Sequence, residues 1–307
     1  MFARSGRPRR GVNAIEVVVV SAIVIFLILL VMMRLPRSRE TARSASCRSN
    51  LMRIGVALAQ YHADVGSLPQ VRLDGPSPLR SSLEQLAIPD FRDLSEPSKR
   101  LDRVPGLVLS ETRVEGFVCP TDTVARVTKF AAPVNYRAST GSSADGLGGA
   151  FELGATTKLG VVEEKDGISY TAAYSERLVG DAGPAMRPSP RAMQFVPAAL
   201  TSTSCPGGPG AWLTEGGASW WKSNWASTLY NHALTPNADP SCLSANGSTG
   251  LVGASSEHVE GVNVLLLDGS VKSYSTRVAP EIWRRLGTIE DRPPIAAPVA
   301  PGAPGAP

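Results

Sequence analysis

Hydrophobic positions change their pattern three times along the chain. Residues 12–33, VNAIEVVVVSAIVIFLILLVMM, are apolar at 19 of 22 positions, with no polar face. A helix of that length spans about 33 Å at ~1.5 Å per residue, enough to cross a hydrocarbon core of about 30 Å. Its many β-branched residues do not argue for a strand, because in lipid only a helix satisfies its own backbone. Over residues 34–66, Leu51, Ile54, Leu58 and Tyr61 recur at helical spacing, predicting an amphipathic helix with one stripe packed on a sheet. This helix is expected to continue the first, kinked or interrupted at Pro36, and to end at Gly66 and Pro69. Residues 67–290 carry short β-prone runs between Gly- and Ser-rich connectors. Strands are expected near Val108 and at Glu115–Cys119, Pro133–Arg137, Leu159–Glu163, Ser169–Glu176 and Met193–Val196, as an antiparallel meander. Short helices are expected at Ser81–Leu86 and Pro280–Leu286. GVNVLLLDGSVKSYS predicts a hairpin, Val262–Leu267 and Ser270–Ser275, about a two-residue type I′ turn at Asp268-Gly269. Residues 291–307 are uncharged after Arg292 and rich in proline, and are expected to form a disordered tail. The fold class that emerges is α+β: a long amino-terminal helix, transmembrane then amphipathic, packed on a mostly antiparallel β-sheet head with long loops.

Composition sharpens this outline. With 29 glycines and 25 prolines the body is rich in turns, which excludes a pure helical bundle. The formal charge is +4, but Arg4, Arg7, Arg9 and Arg10 account for all of it, so nucleic acid is not expected as a partner. Those four arginines instead orient the span, leaving residues 1–11 cytoplasmic and the head periplasmic or extracellular. Arg34, Arg37, Arg39 and Arg43 flank the other end, so charge alone is nearly balanced; the cysteines favour an oxidising compartment for the head. Cys47, Cys119, Cys205 and Cys242 allow three pairings, of which Cys47 with Cys119 and Cys205 with Cys242 are favoured. No CxxC pair, Walker loop, GxSxG elbow or HExxH occurs, and no enzymatic activity is expected.

One residue breaks the apolar run where it matters. An ionised carboxylate at Glu16 costs about 2–3 kcal/mol to insert and needs a cation nearby. If the chain is cut after Gly11, the new α-amine of Val12 lies one helical turn from Glu16, and the two can neutralise each other between neighbouring subunits. RRG followed by VNAIEVVVVSAIVIF resembles the signal of type IV prepilins and type II secretion pseudopilins, although Val12 stands where Phe or Met is usual. That resemblance implies processing by a prepilin peptidase between Gly11 and Val12, retention in the inner membrane as a single-pass protein, and assembly with other pilin-like subunits through Val12 and Glu16.

A second resemblance covers roughly residues 11–288. SCRSNLMRIGVALAQYH with GSLP, FVCPTD, NYR, DGISYT, YSE, YNHALTPN, then His258 followed nine residues later by Asp268-Gly269, and WRRLGT, are similar to a large-headed pilin-like family of unknown function. The resemblance implies a prepilin-like anchor and an extracytoplasmic head, and supplies no activity. His258, Asp268 and Gly269 are its signature positions.

Candidate ligand positions are fewer. His62, His232 and His258 read as structural hydrogen-bonding residues, and no metal site is expected. Asp166, Glu176 and Asp268 are the candidates for calcium, with Asp268-Gly269 read first as a turn. Trp212, Trp220, Trp221 and Trp225 crowd into WLTEGGASWWKSNW, which is expected to pack a loop on the sheet; Trp220 and Trp221 are the candidates for contact with a ligand. The leading expectation is a membrane-anchored structural subunit whose partners are a prepilin peptidase, pilin-like subunits and membrane lipid. The alternative is a pilin-anchored periplasmic or surface binding protein that does not polymerise.

Overall fold

The computed structural model describes residues 13–82, 85–86, 109–181, 183, 189–197, 199–200, 205–206 and 211–290; of residues 30–39 and 109 it describes the backbone alone. Gly11 and Val12, the expected strand near Val108 and the tail 291–307 lie outside that set. The chain divides into two compact units with a boundary between Ala42 and Arg43. Helix α1, Ala14–Val65, is assigned without a break through Pro36, so the expected interruption does not occur in its hydrogen-bonded course. A proline inside a long helix removes one donor, and the turns on either side carry the helix past it.

In the first unit the helix opens with half of a capping box: the Asn13 N–H donates to Glu16 Oε2 (3.2 Å), while the Glu16 N–H is taken by the Asn13 main-chain carbonyl (2.9 Å). Ser21, a polar residue in the apolar run, donates its hydroxyl to the carbonyls of Val17 and Val18. Side chains from Ile15 to Leu29 are exposed. Among the described residues no helix is long and apolar enough to cross a membrane.

The second unit is α+β, with two mostly antiparallel sheets. Strands β1 Tyr136–Ser139, β2 Ala172–Glu176, β5 Leu229–Tyr230, β8 Val262–Leu266 and β9 Val271–Tyr274 form one sheet in the order β5-β1-β2-β8-β9. Strands β3 Met193–Val196, β4 Trp212–Leu213, β6 Ser241–Ser244 and β7 Gly250–Leu251 form the other, ordered β4-β3-β6-β7. Each sheet contains one parallel pair, β1 with β5 and β3 with β6, so the topology is not the simple meander expected. Among the described residues the remaining α-helices are α2 Pro78–Ser81, α3 Thr123–Val127, α4 Leu159–Lys165 and α5 Pro280–Gly287.

Cys47, Leu51, Ile54 and Leu58 form the buried stripe of α1 and join the main core with Tyr136, Tyr174 and Leu265. Helix and sheet approach so closely that a Cβ on Gly55 would lie 2.9 Å from Leu265 Cδ1. Gly66 ends the helix at φ +81°, its N–H donating to the His62 carbonyl.

Three local expectations are corrected. Glu115–Phe117 is a 3-10 turn rather than a strand, with Phe117 N–H on the Val114 carbonyl and Val118 N–H on that of Glu115. Leu159–Lys165 is helical: LGVVEEK buries Val162 and turns its charges outward, a pattern too short for periodicity to settle. The helix expected at Ser81–Leu86 is replaced among the described residues by one over Pro78–Ser81 that ends where the other was to begin, because Ser77 caps it and Pro78 occupies its first position. The hairpin of β8 and β9 is also built differently at its tip. Leu266 N–H donates to the Ser270 carbonyl and Gly269 N–H to that of Leu266, leaving a three-residue loop in which Gly269 alone has positive φ. A type I′ turn needs positive φ at both central residues, and Asp268 instead accepts the Ser270 N–H on its side chain.

Candidate functional site

Tyr136 and Glu176 are register partners in β1 and β2, and Glu176 lies level with Asn263 of β8. Residues paired in register share a face of the sheet, and Asn50 of α1 donates to the Tyr136 hydroxyl (3.2 Å), which places them on the helix side. Here Cys47 of α1 is disulfide-bonded to Cys119, which follows the 3-10 turn; Cys205–Cys242 is the second disulfide. Both favoured pairings therefore hold. Cys119 Sγ lies 3.6 Å from His258 Nε2 and 3.9 Å from Glu176 Oε1, and His258 Nε2 lies 3.3 Å from the same oxygen. All four residues are buried.

The cluster is held from behind. Asn263 donates its backbone N–H to Glu176 Oε2 (3.0 Å) and its side-chain amide to Oε1 (3.1 Å). The Cys119 N–H donates to Asn135 Oδ1, and Asn135 Nδ2 donates to Asp122 Oδ2 and to the Arg177 carbonyl. Asp122 caps α3 through Val124 N and Ala125 N and pairs with Arg191, which also pairs with Glu257, next to His258. Burial, with the Glu176 carboxylate adding to it, holds the Tyr136 phenol well above its ordinary range, against the opposing donation from Asn50. The arrangement brings two sulfurs, an imidazole and a carboxylate to one point, a donor set suited to a soft divalent cation once the sulfurs are free.

The opposite face carries two wholly buried guanidiniums. Arg137 donates to the Trp225 carbonyl (2.9 Å), and Arg177 to the carbonyls of Gly253 (2.6 Å) and Ala192 (3.4 Å). Arg137 Nε and Nη2 and Arg177 Nε have no protein partner. Burial lowers both, Arg177 to about 10 and Arg137 well below its usual value, with the Arg177 charge contributing to the latter.

The other expected site residues are dispersed. His258 and Asp268 stand at opposite ends of β8, so the His-x9-Asp-Gly spacing separates a buried imidazole from an exposed turn rather than pairing them. Among the described residues the only group of three or more metal-competent side chains is Cys47, Cys119, Glu176 and His258. Asp166 and Asp268 are not part of it, and the calcium candidates do not converge. His62 lies on α1 and accepts the Leu159 N–H (3.5 Å). His232 is clamped between the Tyr230 hydroxyl and the Trp283 carbonyl, both at 2.9 Å, and burial pushes its pKa down to about 3. Gly287 is required there, since a Cβ would lie 2.6 Å from the His232 ring. Trp220 is fully buried against Phe117 and Trp221, its indole N–H on the Thr112 carbonyl, and presents no surface to a ligand; Trp221 is partly exposed under Arg80 at 3.8 Å. Asn263 and the two arginines were not singled out from sequence, where the available signal was a charged or amide residue inside an apolar β-run.

A family model described as "Protein of unknown function (DUF1559)" matches residues 36–281, which include every residue of this cluster and exclude the apolar run before it. No curated protein and no solved structure matches the chain.

Proposed function

This chain belongs to that family of unknown function, and from there we propose that it is a pilin-like structural subunit, cut between Gly11 and Val12 by a prepilin peptidase, anchored in the inner membrane through residues 12–33, and assembled with other pilin-like subunits of a type II secretion or type IV pilus-like system. The observation that carries the reading is the exposure of large apolar side chains around the start of α1, from Ile15 at 70 % to Phe26 at 61 % and Leu29 at 57 %. Apolar surface of this extent marks a membrane or protein contact. An apolar surface on every side of a helix calls for lipid or neighbouring helices on every side. Glu16 is the one acid in that stretch, and its carboxylate accepts only the Asn13 N–H within the helix, which leaves it capacity for a neighbour's terminal ammonium.

Sequencing the amino terminus of protein recovered from membranes tests the cut: Val12 as the first residue is expected, and retention of Met1 overturns it. Glu16→Ala is expected to insert normally and to lose crosslinks to pilin-like neighbours in intact membranes. Unchanged crosslinking, or a wild-type protein that is a solitary monomer in mild detergent, favours the non-polymerising binding protein instead.

A further inference from the structure

The Cys47–Cys119 cluster contains more than a disulfide requires. We propose that in the dithiol state Cys47 Sγ, Cys119 Sγ, His258 Nε2 and Glu176 Oε1 bind one thiophilic divalent cation of the zinc type, so that covalent bond and metal are alternative staples between α1 and the sheet. This rests on residues of the second unit alone and is independent of the assembly reading above.

The distances carry the argument. Ligand atoms about 2.0–2.3 Å from a tetrahedral ion lie roughly 3.3–3.8 Å from one another. The three non-covalent edges that meet at Cys119 Sγ, His258 Nε2 and Glu176 Oε1 are 3.3, 3.6 and 3.9 Å. All four donor atoms fall within 4.8 Å. The covalent sulfur–sulfur bond is what is unsuited to coordination, and breaking that bond is what reduction does. Two thiolates with an imidazole and a carboxylate favour zinc over magnesium or calcium, which prefer oxygen alone. The outer hydrogen bonds that orient the carboxylate are present, since Asn263 fixes both oxygens of Glu176, and Ser256 Oγ holds the main chain of His258 by accepting its backbone N–H (3.2 Å).

The step balances with a dithiol as reductant. Two electrons and two protons pass from the dithiol, which closes to its own disulfide, to Cys47–Cys119, which opens to two thiols. Binding of the cation then displaces both thiol protons to solvent, and the sulfur lone pairs form the two metal–sulfur bonds.

The test uses the full chain in detergent, reduced anaerobically with a phosphine and titrated with Co²⁺. One equivalent should bind with thiolate-to-cobalt charge-transfer absorption, Zn²⁺ should displace it, and the oxidised protein should show no band. Cys205→Ser with Cys242→Ser should leave the band in place, whereas Cys119→Ser and His258→Ala should abolish it. Asn263→Ala should weaken Zn²⁺ binding by about 10- to 100-fold, as loss of an outer-shell partner does. A reduced protein without the band, a band unaltered by His258→Ala, or one that disappears with the Cys205/Cys242 pair overturns the proposal. If reduction unfolds the head, Zn²⁺ should restore its far-ultraviolet circular dichroism, and failure to do so overturns the proposal equally.

Discussion

Residues 15–29 and 47–58 of α1 are both apolar-rich and helical, yet they handle that apolar surface in opposite ways. In the earlier stretch Ile15, Val17, Val20, Ile23, Phe26 and Leu29 point around the whole circumference and are exposed. In the later one Cys47, Leu51, Ile54 and Leu58 keep to one stripe at spacings of four, three and four, and all are buried under the sheet, while Met52 and Val56 on the outer side are exposed. One helix therefore carries two solvation programmes. The stripe is satisfied by the chain's own strands, whereas an all-round apolar surface is satisfied only from outside the chain.

The largest break in this comparison should come from removing the covalent tie of the later stretch. Cys47→Ser with Cys119→Ser opens a crosslink between residues 72 apart in sequence, and denaturant titration should show a loss of about 4 kcal/mol in the chain-entropy model. Next, Leu51→Ala or Ile54→Ala should cost about 2–5 kcal/mol of head stability through the cavity each leaves. Val20→Ala and Phe26→Ala, in the exposed stretch, should shift the same transition by less than about 0.5 kcal/mol. Equal effects in the two stretches would remove the distinction.

A pH scan separates the head by charge rather than packing. His232 is wholly buried, with a folded pKa of about 3 against 6.5 for the free side chain, so below pH 6.5 the unfolded chain binds more protons. Its contribution to stability is complete above 6.5 and declines by about 1.4 kcal/mol per pH unit as pH falls towards 3. Thermal melts of His232→Phe against the unaltered chain between pH 6.5 and 4 should show that slope flattened. The smallest effect belongs to the helix start: Glu16→Ala, which removes the acceptor of the Asn13 N–H, should fray the first turn by about 0.5–1 kcal/mol, visible as faster amide exchange at Asn13 with the head's transition unmoved.

Where the pattern was local, the sequence sufficed. The stripe of Leu51, Ile54 and Leu58, strand β3, the helix at Pro280 and the end of α1 at Gly66 all follow from periodicity or a terminating glycine. Both cysteine pairs hold as well, although their spacing left three connectivities open. LGVVEEK failed because seven residues do not distinguish a buried strand from two helical turns. The site was legible only as isolated residues: Glu176 meets His258 across 82 positions and Asn263 across 87, separations at which no local pattern operates. Arg137 and Arg177 were missed for a related reason. Both faces of β1 and β2 are buried, so strand alternation no longer marks which side is wet.

The strand order of the larger sheet also constrains how the protein can be made. β2 lies between β1 and β8, and β8 begins at Val262, so a nascent chain that stops short of Val262 has an unpaired edge along β2 and lacks the Asn263 donors to Glu176. Closure of the core must await β8, while the apolar run 12–33 leaves the ribosome well before it. A long-separation pairing of this kind is slow to form and prone to wrong associations while it is open. Until the hairpin of β8 and β9 arrives, β2 is an open edge, and the time for which it stays open sets the risk of a wrong pairing.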